Sequence, residues 1–408
     1  MVGSSLFRRT PVSLLNLCAQ PARAVVSIGG VSFALLLIFM QLGFRGAVGN
    51  TAVIVYGKLK GDIVMRSLDY VHLYEPKTID RAWMEIVASH PNVASVDPFF
   101  IMLQRWQNPP RNESCESAPP DGSFRTVGMM AMELDRPVID LPDLTPLLEQ
   151  IKDPDALLID SATRAEYGPQ NCKRFSDQDI SFFAELGGRS TRIAGVFKLG
   201  TGLATNGAVL ISDVGFSRRS PVDTQRRASL GLVRLRPNVD AESTRRELED
   251  WLMERDSHAA MSVQLLTMDE QKKWERRRWL NETPIGMIFT MGVLLSFIIG
   301  AAIVYMVLAT DVTSRISEFA TMKAMGYSEW FVAGIVLRQA WILALAGYVI
   351  SALCAEVLYR VTVGLSGIPT FMTWERMLGV AAMAVVMCTF SGLLAIRSLW
   401  RADPATLF

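Results

Sequence analysis

Apolar and polar positions fall in long blocks along this chain. Apolar runs occupy 24–44, 284–308, 330–355 and 377–396, and a mostly polar stretch fills 45–283. A helix crosses a bilayer core with about 20 apolar residues and satisfies its own backbone as it does so. Gln41 is the one strongly polar residue of the first run, the second run has no charge, and Arg338 is the one charge of the third. The pattern predicts a membrane protein with four transmembrane helices, one plus three. A large α+β extracytoplasmic domain lies between helices 1 and 2.

The first run starts too late and extends too far for a cleaved signal peptide, and no small-x-small exit follows it. It reads as an anchor. Arg8, Arg9 and Arg23 precede it with no acidic residue before Arg23, which places the N-terminus in the cytoplasm. Four crossings return the C-terminus there, in agreement with Arg397 and Arg401. The expected layout is therefore a cytoplasmic N-terminus (1–23), a cytoplasmic loop (309–329), an extracytoplasmic loop (356–376) and a cytoplasmic tail (397–408). Pro11 to Leu17 puts apolar residues on one face of a short helix suited to the inner membrane surface, against the alternative of a disordered leader.

Inside 45–283 the periodicity mixes strands and helices without regular alternation, hence α+β. Gly61–Met65, Val93–Trp106, Arg125–Met132 and Ala228–Leu235 read as strands. Phe182–Leu186 and Arg192–Phe197 flank Gly187-Gly188 as a hairpin. Thr78–Ser89 reads as a helix capped by Thr78, and Asp240–Asp256 as an amphipathic helix with Leu248, Trp251 and Leu252 inward. Thr267-Met268-Asp269-Glu270 is a capping box. The charged helix it starts is expected to run as a stalk nearly continuous with the second span. Pro109–Gly122 and 170–180 are turn-rich and read as exposed loops.

Composition narrows the function by subtraction. The net charge of +1 on 408 residues offers no field for nucleic acid. The three histidines, His72, His90 and His258, have no metal-ligand spacing. Cys18, Cys354 and Cys388 lie in or beside the membrane, whereas Cys115 and Cys172 fall in an oxidising compartment where they could pair or stay free. No Walker A motif, Gly-x-Ser-x-Gly elbow or His-Glu-x-x-His occurs, and the span centres hold no carboxylate. The chain reads as non-catalytic, with no metal or cofactor of its own. Energy for any work must enter through a partner.

The loop between spans two and three is where a partner would dock. Its residues favour a short helix, with Phe319, Met322 and Met325 on one side, Glu318 and Lys323 polar, and Gly326 as the C-terminal cap. Such a helix suits a groove in another protein; the plain alternative is a surface turn. In the second span Gly292, Ser296 and Gly300 form a small-residue stripe, read as a packing face and candidate dimer interface, or as packing within the subunit.

Glu318-Phe319-Ala320-Thr321-Met322-Lys323-Ala324-Met325-Gly326-Tyr327 resembles the coupling helix of MacB/FtsX-type permeases, the mechanotransmission class of ABC transporters. Phe39–Arg45, Asp140-Leu141-Pro142, Glu166–Pro169 and Ile193–Thr201 resemble the DevC-like permeases of heterocyst glycolipid exporters. The resemblance implies a homodimer in the inner membrane that transmits the motion of a separate DevA-like ABC ATPase, which binds ATP and Mg. It further implies a DevB-like periplasmic adaptor, a TolC-like outer-membrane duct, and glycolipid or another membrane lipid as cargo. The coupling positions that carry over are Arg315, Glu318, Phe319, Met322, Lys323, Ala324, Met325, Gly326 and Tyr327. Arg401-Ala402-Asp403-Pro404 also matches the class and is expected near the ATPase. An FtsX-like switch of a periplasmic hydrolase is the alternative, and a kinase-linked peptide sensor a weaker one.

Overall fold

The computed structural model describes residues 21–110, 122–141, 144–200, 205–366 and 369–400. The chain divides into two compact units, Met1–Ala47 with Thr283–Phe408, and Val48–Glu282. The expected surface helix at Pro11 to Leu17 and the tail motif 401–404 lie outside the described residues.

Among the described residues four helices are long and apolar enough to cross a membrane: Ala24–Ala52, Pro284–Ser314, Ala333–Gly364 and Trp374–Arg397. They outrun the apolar segments that announce them. The helix Glu329–Ser366 continues through much of the expected 356–376 loop, since an apolar run marks where lipid is and not where backbone bonding stops. Val31, Leu35, Ile38 and Phe39 pack with Val304, Leu308, Ala340, Leu343, Val380 and Met387. Polar side chains pair across the bundle: Ser391 Oγ donates to Ala301 O (2.8 Å), Trp341 Nε1 to Thr389 Oγ1 (3.0 Å), and the Tyr359 hydroxyl to the Phe39 carbonyl. Gly43 is small because the Tyr359 ring lies against it, where a Cβ would collide.

The second unit is built on strands β1 (Ile63–Ser67), β2 (Ile79–Asp80), β3 (Val93–Gln107), β4 (Phe124–Met132), β5 (Ala156–Asp160), β6 (Phe183–Leu186), β7 (Arg189–Phe197), β8 (Ala208–Ser212), β9 (Arg227–Ala228), β10 (Leu230–Leu235) and β11 (Val263–Thr267). All but β2 and β9 form one sheet in the order β11-β1-β10-β3-β4-β8-β5-β7-β6. Strand β3 organises it. Its first half pairs with β10 (Val96↔Val233) and its second with β4 (Phe100↔Ala131). The short β6 bonds both β7 and the end of β3 (Trp106↔Leu186), which closes a ring β3-β4-β8-β5-β7-β6. Strands β10, β1 and β11 extend from it as an open arm.

Strands β1, β5 and β8 are buried along their whole length, so their apolar residues run without alternation before Arg66-Ser67, Asp160 and Ser212 end them. The expected hairpin is present, with Gly187 (φ +62°) and Gly188 (φ +78°) in the left-handed turn that two-residue connections require. The helix expected from Thr78 begins later, at Arg81. Ile79–Asp80 remains extended to pair with β9, and Asp80 is the cap, accepting from Ala82 N at 2.9 Å. The helix Ala241–Arg255 is capped by Asp240 and buries Leu248 and Leu252. Thr267 and Glu270 make both arms of the capping box.

The stalk helix, Met268–Asn281, stops short of the second span. Glu282 caps its end, and Thr283 turns extended (ψ 152°) to cap the helix that starts at Pro284. A residue before proline is pushed out of the α region, so Glu282 and Thr283 separate the two helices.

Trp106 is fully buried, donates from Nε1 to Tyr167 O (3.1 Å), and stands edge-on to Phe175. Its position at the ring closure predicts that Trp106→Ala destabilises the inserted unit by about 3–5 kcal/mol. Thermal unfolding followed through this unit's transition measures it; an unshifted transition would show that the closure contributes no stability.

Candidate functional site

The second span ends at Ser314, and Arg315 takes a non-helical conformation (φ −116°, ψ 19°) that turns the chain into the helix Ile316–Ala324. The Arg315 carbonyl accepts from Phe319 N at 3.1 Å, the first bond of that helix. The Arg315 side chain is nearly buried and its Nε meets Asp311 Oδ1 at 3.3 Å, while the other Asp311 oxygen accepts from Gln339 Nε2 at 2.9 Å. One carboxylate thus ties the start of the short helix to the second and third spans. Arg315 is therefore turned inward, towards its own chain. Asp311 and Gln339 were not singled out by the sequence, because each is an ordinary polar residue at a span end until the fold joins them. Arg338, one position away, is exposed.

Phe319 is 4% exposed among Val312, Ala333, Val336 and Ile396, with Met322 packed half-buried beside it. These two residues seat the helix on its own spans. Met325 does not share their side, as the i, i+3, i+6 pattern suggested, because it lies beyond the last helical residue, Ala324, and is exposed. Gly326 (φ +86°) closes the helix, with Tyr327 N bonded to Met322 O (3.1 Å) in a Schellman arrangement. Lys323 and Ala324 lie in the last turn. Glu318 is exposed, as are Met325 (64%) and Tyr327 (48%), whose ring stacks on Phe331 at 4.9 Å. The outward edge therefore combines a carboxylate, a thioether and a phenol.

The small-residue stripe is filled within one chain. A Cβ on Gly292 would meet the Gln41 side chain at 2.6 Å, and one on Gly300 would meet Met387 Sδ at 2.7 Å and Ala34 Cβ at 2.8 Å. Ser296 is buried and donates to Gly292 O at 2.8 Å. Gly292, Ser296 and Gly300 thus let the first and fourth spans approach the second, as packing within the subunit requires.

Cys172 is disulfide-bonded, and Cys354 and Cys388 are free; Cys115 lies outside the described residues. Each histidine rests on a tryptophan: His72 on Trp279, His90 on Trp251 and His258 on Trp83. Among the described residues no group of His, Cys, Asp and Glu could hold a metal ion.

Residues 290–404 match the FtsX-like permease C-terminal family. That segment is similar to FtsX-like permease domains. It takes in most of the second span, the short helix and the third and fourth spans. Two solved structures are similar. One is the periplasmic region of MacB from Actinobacillus actinomycetemcomitans, at 10% identity and TM-score 0.35, covering 54% of this chain and 94% of that one. The other is the extracellular domain of the noncanonic ABC-type transporter YknZ from Gram-positive bacteria, at 12% identity and TM-score 0.31, covering 50% and 98%. Among curated proteins no sequence matches the chain.

If Phe319 seats the helix, Phe319→Ala raises amide exchange throughout 316–324 in the lipid-embedded protein by about tenfold or more. Met325→Ala leaves the exchange unchanged. Equal exchange in the two variants would show that the helix is held by something other than the Phe319 contact.

Proposed function

We propose that this chain is the permease subunit of an ABC exporter and transmits the motion of a separate ATPase to its inserted domain. The observation that carries this reading is the FtsX-like domain at 290–404, within which a short helix is clamped to its spans and presents Glu318, Met325 and Tyr327. A rigidly seated helix with an exposed mixed edge is what a docking groove can push against. The exposed apolar faces of the spans, such as Ile288, Met291, Leu295 and Met306, suit lipid.

In this reading the chain hydrolyses nothing itself. Its inserted domain lies on the periplasmic side of the inner membrane with both termini in the cytoplasm. Two copies act together with two ATPases, which bind ATP and Mg, and with a periplasmic adaptor and an outer-membrane duct. Glycolipid or another lipid is the cargo. Cys115 is the partner of Cys172, because Cys354 and Cys388 are free and Cys18 falls on the cytoplasmic side of this topology. The FtsX-like match fits equally a transmembrane switch that activates a periplasmic hydrolase.

Co-purification from native membranes separates these readings. Export predicts that an ABC ATPase and an adaptor come down with the chain; the switch predicts an ATPase with a hydrolase and no adaptor. In either case Glu318→Lys with Met325→Asp should cut ATPase capture about tenfold or more, the effect of losing contacts at a docking centre. Undiminished capture by the double variant would overturn the assignment of this edge.

A further inference from the structure

The contact face of the stalk helix Met268–Asn281 is polar where an apolar stripe is expected. Gln271 and Glu275 are both 0% exposed, in line with Met268 and Trp279. A buried carboxyl is costly unless several donors converge on it, and here three do. Glu275 Oε2 accepts from the Tyr70 hydroxyl at 2.6 Å, and Oε1 accepts from Leu73 N at 3.1 Å and Trp279 Nε1 at 3.0 Å. The Tyr70 and Tyr56 hydroxyls are 2.7 Å apart, and Gln271 Nε2 donates to Tyr56 at 2.8 Å. Tyr70 spends its proton on Glu275 and Tyr56 receives one from Gln271. The relay therefore runs from Gln271 through Tyr56 and Tyr70 to Glu275.

Arg66 of β1 completes the cluster. It donates from Nη1 to Gln271 Oε1 (2.9 Å) and from Nη2 to Gln264 Oε1 (2.8 Å). Its guanidinium lies 3.9 Å from the Trp274 ring centroid and 4.5 Å from that of Tyr70. Gln271 is thus answered by Arg66 of β1 and by Tyr56, and Glu275 by Tyr70, Leu73 and, within the helix, Trp279, while β11 joins through the bond of Gln264 to Arg66.

The location of the cluster in the chain gives it significance. The chain passes between its two units at 47/48 and at 282/283. Tyr56 lies just after the first crossing, and Glu275 and Trp279 lie just before the second. Arg276 adds a bond from Nε to Gly49 O at 3.3 Å, and a Cβ on Gly49 would crowd the Arg276 and Leu280 side chains. Both covalent routes into the inserted unit are therefore bolted to each other before they reach the sheet.

We propose that Glu275 is the positioning residue of this joint, fastening the stalk helix to the inserted unit so that displacement of either chain crossing is delivered to β1 and β11 as one movement. This inference rests on the coupling reading for its use, although the joint itself does not.

A proton-linked readout distinguishes the joint from inert packing. Burial raises the Glu275 pKa, against the opposing pull of its donors Tyr70, Leu73 and Trp279 and of Arg66. The other ionisable groups around it are Tyr56 and Tyr74, both raised mainly by burial, and His72, lowered mainly by burial, with Glu75 and Arg278 acting on His72. A raised folded-state pKa means that the closed joint holds the proton more tightly than the open one. Its contribution is complete at low pH and is lost as pH rises through the shifted value.

The full chain in phospholipid nanodiscs is followed by hydrogen exchange of residues 268–281 across pH, corrected for the intrinsic rate. Wild type is expected to lose protection as pH rises from the ordinary glutamate range. Glu275→Gln, permanently neutral, is expected to give a flat profile. Tyr70→Phe, which cuts the relay without changing a charge, should raise exchange about tenfold or more at every pH. Matching pH profiles for wild type and Glu275→Gln, or unchanged exchange in Tyr70→Phe, would overturn the proposal.

A second arm adds the ATPase that co-purifies with the chain, then ATP with vanadate. Wild type is expected to change exchange in β1 and β11 on trapping, whereas Tyr70→Phe keeps ATPase binding and loses that response. A full response in Tyr70→Phe would overturn the joint with coupling intact. If no ATPase is captured, coupling fails, while the first arm still decides the joint.

Discussion

Lipid offers no hydrogen-bond partner to a bare peptide group, and the rest of this structure depends on that constraint. It forces the membrane-type unit into four self-satisfied helices and confines irregular backbone to their ends. It also leaves little for polar side chains to do inside the bundle except join helices, as Ser391 does to Ala301 and Tyr359 to Phe39. Polar chemistry gathers where the helices stop: Asp311, Arg315 and Gln339 at the short helix, and the Glu275 cluster beside the crossings into the inserted unit. Both clusters pin a helix end to a neighbouring segment, which is what a chain needs if it is to pass on movement without dissipating it in loose joints.

The two ends solve the problem with different chemistry. The short helix is seated by an apolar plug, Phe319, whose burial strengthens with the area it hides, and by one carboxylate that spans three elements. The stalk is seated by hydrogen bonds that fix direction as well as contact. An apolar stripe on the stalk would bind at several rotations; Gln271 and Glu275 accept only one. The glycines of the second span act at a third level, since Gly292 and Gly300 set how near the neighbouring spans come.

Much of this was legible in the sequence for physical reasons. Spans are announced by length and hydropathy, the hairpin by Gly187-Gly188, and the stalk's start by Thr267 and Glu270. Strands β5 and β8 were not legible, because Ala156–Ile159 and Ala208–Ile211 are four apolar residues in a row, with no period to distinguish strand from helix. Asp80 displaced Thr78 as a cap because β9 captured the residues between them. At the candidate site, the helix and its terminal Gly326 could be read from local residue preferences. That Phe319 faces inward could not, because it depends on Val312, Ala333, Val336 and Ile396 from three other helices. Glu275 looked like one more charge on a solvated stalk; only the meeting with Tyr70 and Trp279 makes it a buried anchor.

The most direct test of the account is a photo-crosslinking residue placed at Met325 in living cells, with the adduct identified by mass spectrometry. The account predicts a crosslink to an ABC ATPase that disappears when Glu318→Lys is added. Adducts with lipid alone, or an ATPase adduct indifferent to Glu318→Lys, would contradict the claim that this edge receives the driving motion.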